Sequence, residues 1–397
     1  MNLCSDNNCC GCGLCASICP KKAIKLKENE DGFIYPYIDD DKCINCGLCK
    51  KSCIYQKVLS SDEELKIPIK CYAAQNKNKE EEKKSASGGV FYAIAKKVIE
   101  NDGYVCGAIM DINSNKVSVH HILSNKIDDI KKMQGSKYVQ SNIKNIINEV
   151  DNKIKNNNIV LFCGTPCQTA AIRQRVGDND KLFLIDIICH GVPSQKMFND
   201  YLKLKIKDRD KLCEFIFRDK TKKRAKALSY SYSYIHNGKR KSVYRPAHLE
   251  SYYELFLESL IYRNNCYNCP FAKEKRVSDI TIGDYWGIEK YHSKEELEDK
   301  DIGKMRAWSC ILVNTKKGEE MIKKYADNLN LLSTKLEDIK RGNSQLNKPS
   351  SCDENIRKKY ISTYNKKGYK YVDKIYKNNV GKLKYIILLM RYKIFKY

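Results

Sequence analysis

The sequence predicts two units of different class, an α+β module over residues 1–58 and an α/β domain over 85–345. Three observations carry this reading. Two cysteine runs of one spacing lie within the first 53 residues, helices alternate with short apolar strands from about residue 85, and period-two alternation around Asn237-Gly238 marks an antiparallel insertion. With 397 residues, 42% of them hydrophobic, the chain has room for two or three domains with cores of their own.

The first unit opens on "NNCCGCGLCASICP", five of the chain's twenty cysteines within residues 7–20. The N-terminal "MNLCSDNNCC" lacks the apolar stretch of a secretory signal, and the late run "YIILLM" is too short to span a bilayer. A cytoplasmic protein is therefore expected, in which clustered thiols mean metal or redox chemistry rather than disulfides. Reading back from Cys19-Pro20, the gaps select Cys9, Cys12, Cys15 and Cys19, a C-x2-C-x2-C-x3-C-P run. Cys43, Cys46, Cys49 and Cys53 repeat its spacing, with Ile54 in place of the proline. This is the spacing of a bacterial-type ferredoxin with two 4Fe-4S clusters. Three close thiolates wrap one cubane and the fourth is carried past it to the other. Cys9, Cys12, Cys15 and Cys53 are expected to hold one cluster, and Cys43, Cys46, Cys49 and Cys19 the other. Gly11, Gly13 and Gly47 allow the tight turns that bring backbone amides to cluster sulfurs. Zinc ribbons use paired C-x2-C units and fit this longer pattern poorly. Cys4 and Cys10 fall outside the spacing and read as spare thiols.

Between the runs, "KAIKLKENEDGFIYPYIDDDK" alternates as two strands around Asp31-Gly32. Residues 59–84 read as a linker, charged over 79–84, whose one strand, "IKCYAAQ", joins the sheet of the next domain. In that domain a helix is expected at 89–100, strands at "YVCGAIMD" and "KVSVHHIL", a helix near 141–156, and strand "NIVLFC". A helix after Pro166, strand "LFLIDIIC" and a helix from Ser194 follow. Sites in such sheets collect at the carboxyl ends of strands, and both "IVLFCGTPCQ" and "LFLIDIICHG" put cysteines there.

With the paired cysteine runs before them, "SASGGVFYAIAKKVI", "GSKYVQS", "CGTPCQTAAIR", "DIICHGVPS", "CYNCPFA" and "SDITIGDYWGIEK" resemble the coenzyme F420 hydrogenase/dehydrogenase beta-subunit family over residues 1–330. The resemblance implies an α/β flavin and iron–sulfur domain that passes electrons between clusters and a two-electron acceptor, with FAD as cofactor. The family also contains reductases whose substrate is not the deazaflavin, so the resemblance fixes chemistry better than substrate.

Read physically, Ser85, Ser87, Gly88 and Gly89 precede a helix, where hydroxyls and free amides suit a pyrophosphate, although an ordinary N-cap looks the same. "GSKYVQS" offers Lys137 as a charge for phosphate and Tyr138 as a stacking face, with Ser136, Gln140 and Ser141 as hydrogen-bond partners for a flavin. Thr165 joins these cofactor-binding candidates. A third cluster is expected on Cys167, Cys189, Cys266 and Cys269: the C-x2-C pair at 266–269 needs two more thiolates, and Cys167 sits at a helix start whose dipole favours thiolate. Cys163, at the end of an apolar strand, is the rival. His190 is a candidate proton donor or, alternatively, a residue that fixes the cluster loop. Tyr285 and Trp286 could cover a flavin face. The 212–245 insertion could roof the site, and its basic residues, Lys220, Lys222, Lys223, Arg224 and Lys226, read as a solvated loop.

Residues 346–397 read as a basic tail. Thirteen Lys and Arg face the single acid Asp373 over 355–397, and an amphipathic helix at 382–397 could lie on the inner face of an anionic membrane. Net charge +25 also admits nucleic acid, but no base-reading motif is visible and none is expected as partner. Two function classes remain: a flavin and iron–sulfur oxidoreductase fed by a ferredoxin or another redox protein and acting on a small or lipid-linked substrate, or a non-catalytic electron-transfer subunit of a larger redox complex.

Overall fold

The computed structural model describes residues 3–5, 7–60, 65–143, 145–207, 209–221, 228–299, 304–305 and 307–380. In the N-terminal module the cluster-loop helices Leu14–Ile18 and Leu48–Lys51 each start from a left-handed glycine, Gly13 (φ 79°) and Gly47 (φ 72°). The two cysteine runs thus repeat in conformation as well as spacing. β1 (Ile24–Glu28) and β2 (Ile34–Ile38) pair antiparallel, and Gly32 (φ 81°) turns the hairpin. The hairpin is a docking arm. Lys196 Nζ and Ser194 Oγ donate to the carbonyls of Glu30 (2.7 Å) and Asp31 (2.6 Å), and a Cβ on Gly32 would stand 2.4 Å from Lys196 Cβ. Leu14 and Ile54 share a buried core with Ala170, Ala171 and Ile172 of helix Pro166–Val176. At about 1.5–3 kcal/mol for each large buried side chain, these contacts hold the module against the larger domain.

That domain is built on β3 (Lys70–Asn76), β4 (Tyr104–Asn113), β5 (Lys116–Ser124), β6 (Val160–Gly164) and β7 (Leu182–Ile187). β8 (Lys211–Ile216), β9 (Ser229–His236) and β10 (Lys239–Pro246) follow, then β11 (Ile280–Asp284), the short ribbon β12 (Glu298–Asp299) and β13 (Lys304–Met305), β14 (Ser309–Val313) and β15 (Leu329–Ser333). Eight strands form one sheet in the order β15-β3-β14-β11-β7-β6-β4-β5. Its centre, β11-β7-β6-β4, is parallel, and both edges are antiparallel. Helices Val90–Glu100 and Lys316–Tyr325 cover one face, and Ile146–Lys155 and Pro166–Val176 the other. The parallel strands carry near-continuous apolar runs because both their faces are buried.

As expected, the strand within the linker joins this sheet: β3 lies second from its edge, with Cys71, Ala73 and Ala74 buried. One boundary differs from the sequence reading. Residues 354–380, read as tail, form helices Glu354–Lys367 and Tyr369–Val380. Their Tyr360, Tyr364, Tyr369, Val372 and Tyr376 enter an aromatic core with Tyr201, Tyr252 and Phe256. Asp373 accepts from Ser251 Oγ at 2.8 Å and pairs with Lys377. Burial of the tyrosine side of each helix outweighs the charge on the other. The amphipathic helix expected at 382–397 lies outside the described residues, as do Lys222, Lys223, Arg224 and Lys226. Among the described residues no helix is long and apolar enough to cross a membrane.

Candidate functional site

The two expected ligand sets of the N-terminal module separate in space. Cys19, Cys43, Cys46 and Cys49 line one small pocket of about 30 Å³ with Ala23, Ile24 and Ile38, and Ala23 N donates to Cys19 Sγ at 3.3 Å. In the other set, burial raises the Cys9 thiol and pushes Cys15 up to about 12, and the charge of Cys53 raises both. Backbone amides of Gly11, Ala16, Tyr55 and Gln56 turn toward these sulfurs. The two thiols read as spare both stand beside this set. Cys4 beside Cys53 holds the latter's pKa below the usual thiol value, and the buried Cys10 packs in one cluster with Cys12 and Cys167.

A cavity of about 530 Å³ opens at the carboxyl ends of β6, β7 and β11, and Cys167, Cys189, Cys266 and Cys269 all face it. The four thiols feel one another. Burial first, then the charges of Cys189 and Cys269, raise Cys266; burial and Cys167 push Cys269 up to about 11; burial, Cys167 and Cys269 raise Cys189. Amides of Gly191, Val192, Phe271 and Ala272 turn to these sulfurs, as cluster-binding loops require. Cys163 also lines the cavity, but burial and Asp186 set its thiol at about 12, and none of those four thiols perturbs it. The expected lowering of the Cys167 pKa by its helix is overturned, since its bond to Cys10 and its burial raise it well above the usual thiol value. Among the described residues no three His, Cys, Asp or Glu side chains close around a single ion.

The rest of the cavity wall holds the cofactor-binding candidates, with several roles corrected. Ser85 Oγ donates to Glu81 O (2.9 Å) and Ser87 Oγ to Trp308 O (2.9 Å), so their hydroxyl protons hold the turn and are not offered to an anion. Gly88 is needed for packing, because a Cβ there would lie 2.4 Å from the carbonyl of Ala74. Gly89 (φ 83°) leaves the first amides of helix Val90–Glu100 without a side-chain cap at the cavity, and these are the groups that suit a pyrophosphate. Lys137 donates to the carbonyls of Lys132, Met133, Gln134 and Gly135 at 2.8–3.3 Å, closing the end of helix Ile127–Met133. Burial sets its pKa at about 7, so it is not a free charge for phosphate. The Tyr138 ring stacks on Phe256 at 4.4 Å, and its hydroxyl contacts Ser136 and Arg218. Gln140 also lines the cavity, and its Nε2 donates to Cys10 O at 3.0 Å, tying the two domains. Ser141 Oγ lies 2.6 Å from His121 Nδ1, and Thr165 Oγ1 lies 3.2 Å from Cys167 Sγ.

His190 faces the cavity, where its ring has no hydrogen-bond partner among the described residues. Desolvation by the cavity wall lowers its pKa against the pull of Asp284. Opposite, Arg218 from the strand insertion pairs with Asp284 at 2.5 Å and stands over the Trp286 ring, its Nε buried and unpartnered; Gln345 Oε1 on the same wall is also unpartnered. Tyr285 is core, with its hydroxyl 2.6 Å from Thr334 Oγ1. Lys220 pairs with Glu82 and donates to Ser87 O, so it is a tie beneath the turn and not part of a solvated loop. Sequence reasoning missed Arg218, Gln345 and Arg263. The last sits three residues before Cys266, and that proximity was its only signal.

Residues 8–57 match the 4Fe-4S dicluster domain, and residues 157–339 match the C terminus of the coenzyme F420 hydrogenase/dehydrogenase beta subunit. No curated protein matches the chain. Among solved structures, a chain of the F420-reducing [NiFe] hydrogenase complex from Methanosarcina barkeri is similar at 18% identity and a TM-score of 0.41, over 79% of this chain and 94% of that one.

Proposed function

We propose that this chain, an iron–sulfur electron-transfer protein of the coenzyme F420 hydrogenase/dehydrogenase beta-subunit family, is an FAD-dependent oxidoreductase that links one-electron donors to a two-electron partner. The observation that carries the reading is the succession of thiol sets. Cys46, exposed and flanked by the exposed Ile44 and Leu48, marks where a ferredoxin or similar protein can reach the second set. The first set follows, and Cys10 joins it to Cys167 at the edge of the large cavity.

The residues present fit both groups. Cys167, Cys189, Cys266 and Cys269 would hold a third 4Fe-4S cluster, and the uncapped amides after Gly89 would take the pyrophosphate of FAD. The cavity is of the size that holds such ligands, and the unpartnered Arg218 Nε and Gln345 Oε1 offer one donor and one acceptor inside it. FAD, when bound, exchanges single electrons on one side and an electron pair on the other. Around it, Arg218 and Trp286 orient a planar partner, and His190 holds or moves a proton at a ring nitrogen. The partner is a deazaflavin or another small or lipid-linked acceptor. Stopped-flow mixing of anaerobic holoprotein with reduced ferredoxin tests the reading. Bleaching of the clusters followed by reduction of the flavin is expected, and flavin that stays oxidised while the clusters reduce would refute it.

A second reading, an electron-transfer subunit without its own substrate, takes support from the matches to a 4Fe-4S dicluster domain and to a hydrogenase/dehydrogenase beta subunit. The large cavity beyond the thiols favours the enzyme.

A further inference from the structure

Arg263 has 0% of its surface exposed and heads the large fully buried side chains. A guanidinium does not lose its proton in a protein, so this is a permanent charge in the interior. Among the described residues it has no carboxylate partner. Nε donates to Cys9 O at 2.7 Å, Nη2 to Ile34 O at 2.8 Å and Nη1 to Gln140 Oε1 at 3.4 Å, and the plane lies 4.0 Å from the centre of the Tyr35 ring. Every hydrogen-bond partner is neutral. An unbalanced buried charge costs several kcal/mol, so the fold must supply anions elsewhere.

The position of the guanidinium says which anions. Its Nε bond to Cys9 O holds it against one set, and its own backbone carbonyl accepts from Cys266 N at 2.9 Å. Those cysteines belong to the first and third ligand sets, which lie in different domains. Four thiolates leave a 4Fe-4S cluster anionic, and each reduction adds one more negative charge. A fixed cation between two such clusters therefore favours the reduced form of both.

We propose that Arg263 is the counter-cation of the first and third clusters, raising both reduction potentials and so keeping the electron step across the domain junction close to level. The proposal rests on the third-cluster reading for one of its two arms and on the dicluster domain for the other. As a positioning residue, Arg263 also pins the N-terminal module through Cys9 and Ile34. A purely mechanical role would leave the potentials alone.

EPR-monitored redox titration of anaerobically prepared full-length protein tests this, on wild type, Arg263→Gln and Arg263→Lys. Arg263→Gln should disfavour reduction of the first and third clusters at least tenfold, about 59 mV for a one-electron couple. The second cluster should stay put, and Arg263→Lys should stay near wild type. Unmoved potentials in a fully loaded Arg263→Gln protein overturn the proposal. If Arg263→Gln loses iron, Gln140→Glu decides, since it places a carboxylate beside Nη1 and leaves the arginine in place. Lowered potentials support the proposal, and unchanged ones overturn it. Wild-type iron near eight per chain would remove the third cluster, while the first-cluster shift still judges Arg263.

Discussion

His121 Nδ1 lies 2.6 Å from Ser141 Oγ, and its Nε2 lies 2.9 Å from the carbonyl of Cys163. A carbonyl can only accept, so Nε2 carries the proton and Nδ1 takes the serine's. The ring is 3% exposed and stacks on Phe162. Burial lowers its pKa from 6.5 to about 4, so it stays neutral while the unfolded chain becomes protonated. The unfolded state then binds more protons between those values, and stability falls as pH falls. From roughly pH 7.5 to 5.5 the loss from this residue should be about 1.4 kcal/mol by linkage. Denaturant unfolding of wild type and His121→Phe at both pH values checks it; an equal pH dependence in the two would show that His121 is not buried neutral.

Cys167→Ser should cost about four irons per chain and most electron delivery to the flavin, whereas Cys163→Ser should keep its iron. Iron analysis and EPR of the two variants settle the choice. Loss of a cluster in Cys163→Ser alone would reverse the ligand assignment.

Gly191, between Cys189 and the ring of Tyr262, has φ 144°, and a Cβ there would fall 2.3 Å from Tyr262 Cδ2. Tyr262 is 1% exposed and packed on Phe256, so it has little room to give. Gly191→Ala should destabilise by about 1–3 kcal/mol and deplete the third cluster. A variant with wild-type iron and unchanged melting would show that the loop is less constrained than this packing implies.

Truncation after residue 380 should leave clusters and flavin in place, because it keeps helices Glu354–Lys367 and Tyr369–Val380, which pack on the aromatic core. If residues 382–397 form a basic amphipathic helix, full-length protein should float with anionic vesicles at low salt and the truncated form should not. Equal flotation of the two forms removes the membrane contact, and with it the argument for a lipid-linked substrate.

What the sequence made legible was local. The C-x2-C-x2-C-x3-C spacing encodes its own loop geometry, from which the Gly13 and Gly47 turns follow, and the alternation around Asp31-Gly32 encodes the β1–β2 hairpin. Long-range partners were not legible. Lys137 reads as a phosphate ligand until the four carbonyls around it are seen, and the bond of Gln140 to Cys10 had no signal. Arg263 bonds to Cys9 and Ile34 more than 225 residues away, so nothing near it in sequence announces its role. The helices over 354–380 did leave a signal, in the i, i+4 pairs Tyr360/Tyr364 and Val372/Tyr376, but the charge around them hid it.

The central claim is that four sets of groups act in series: three clusters and one FAD. Iron, acid-labile sulfide and flavin analysis of anaerobically purified full-length protein tests it most directly. About twelve irons, matching sulfide and one FAD per chain are the expected result. Stoichiometric zinc in place of iron, or full iron with no flavin, would contradict it.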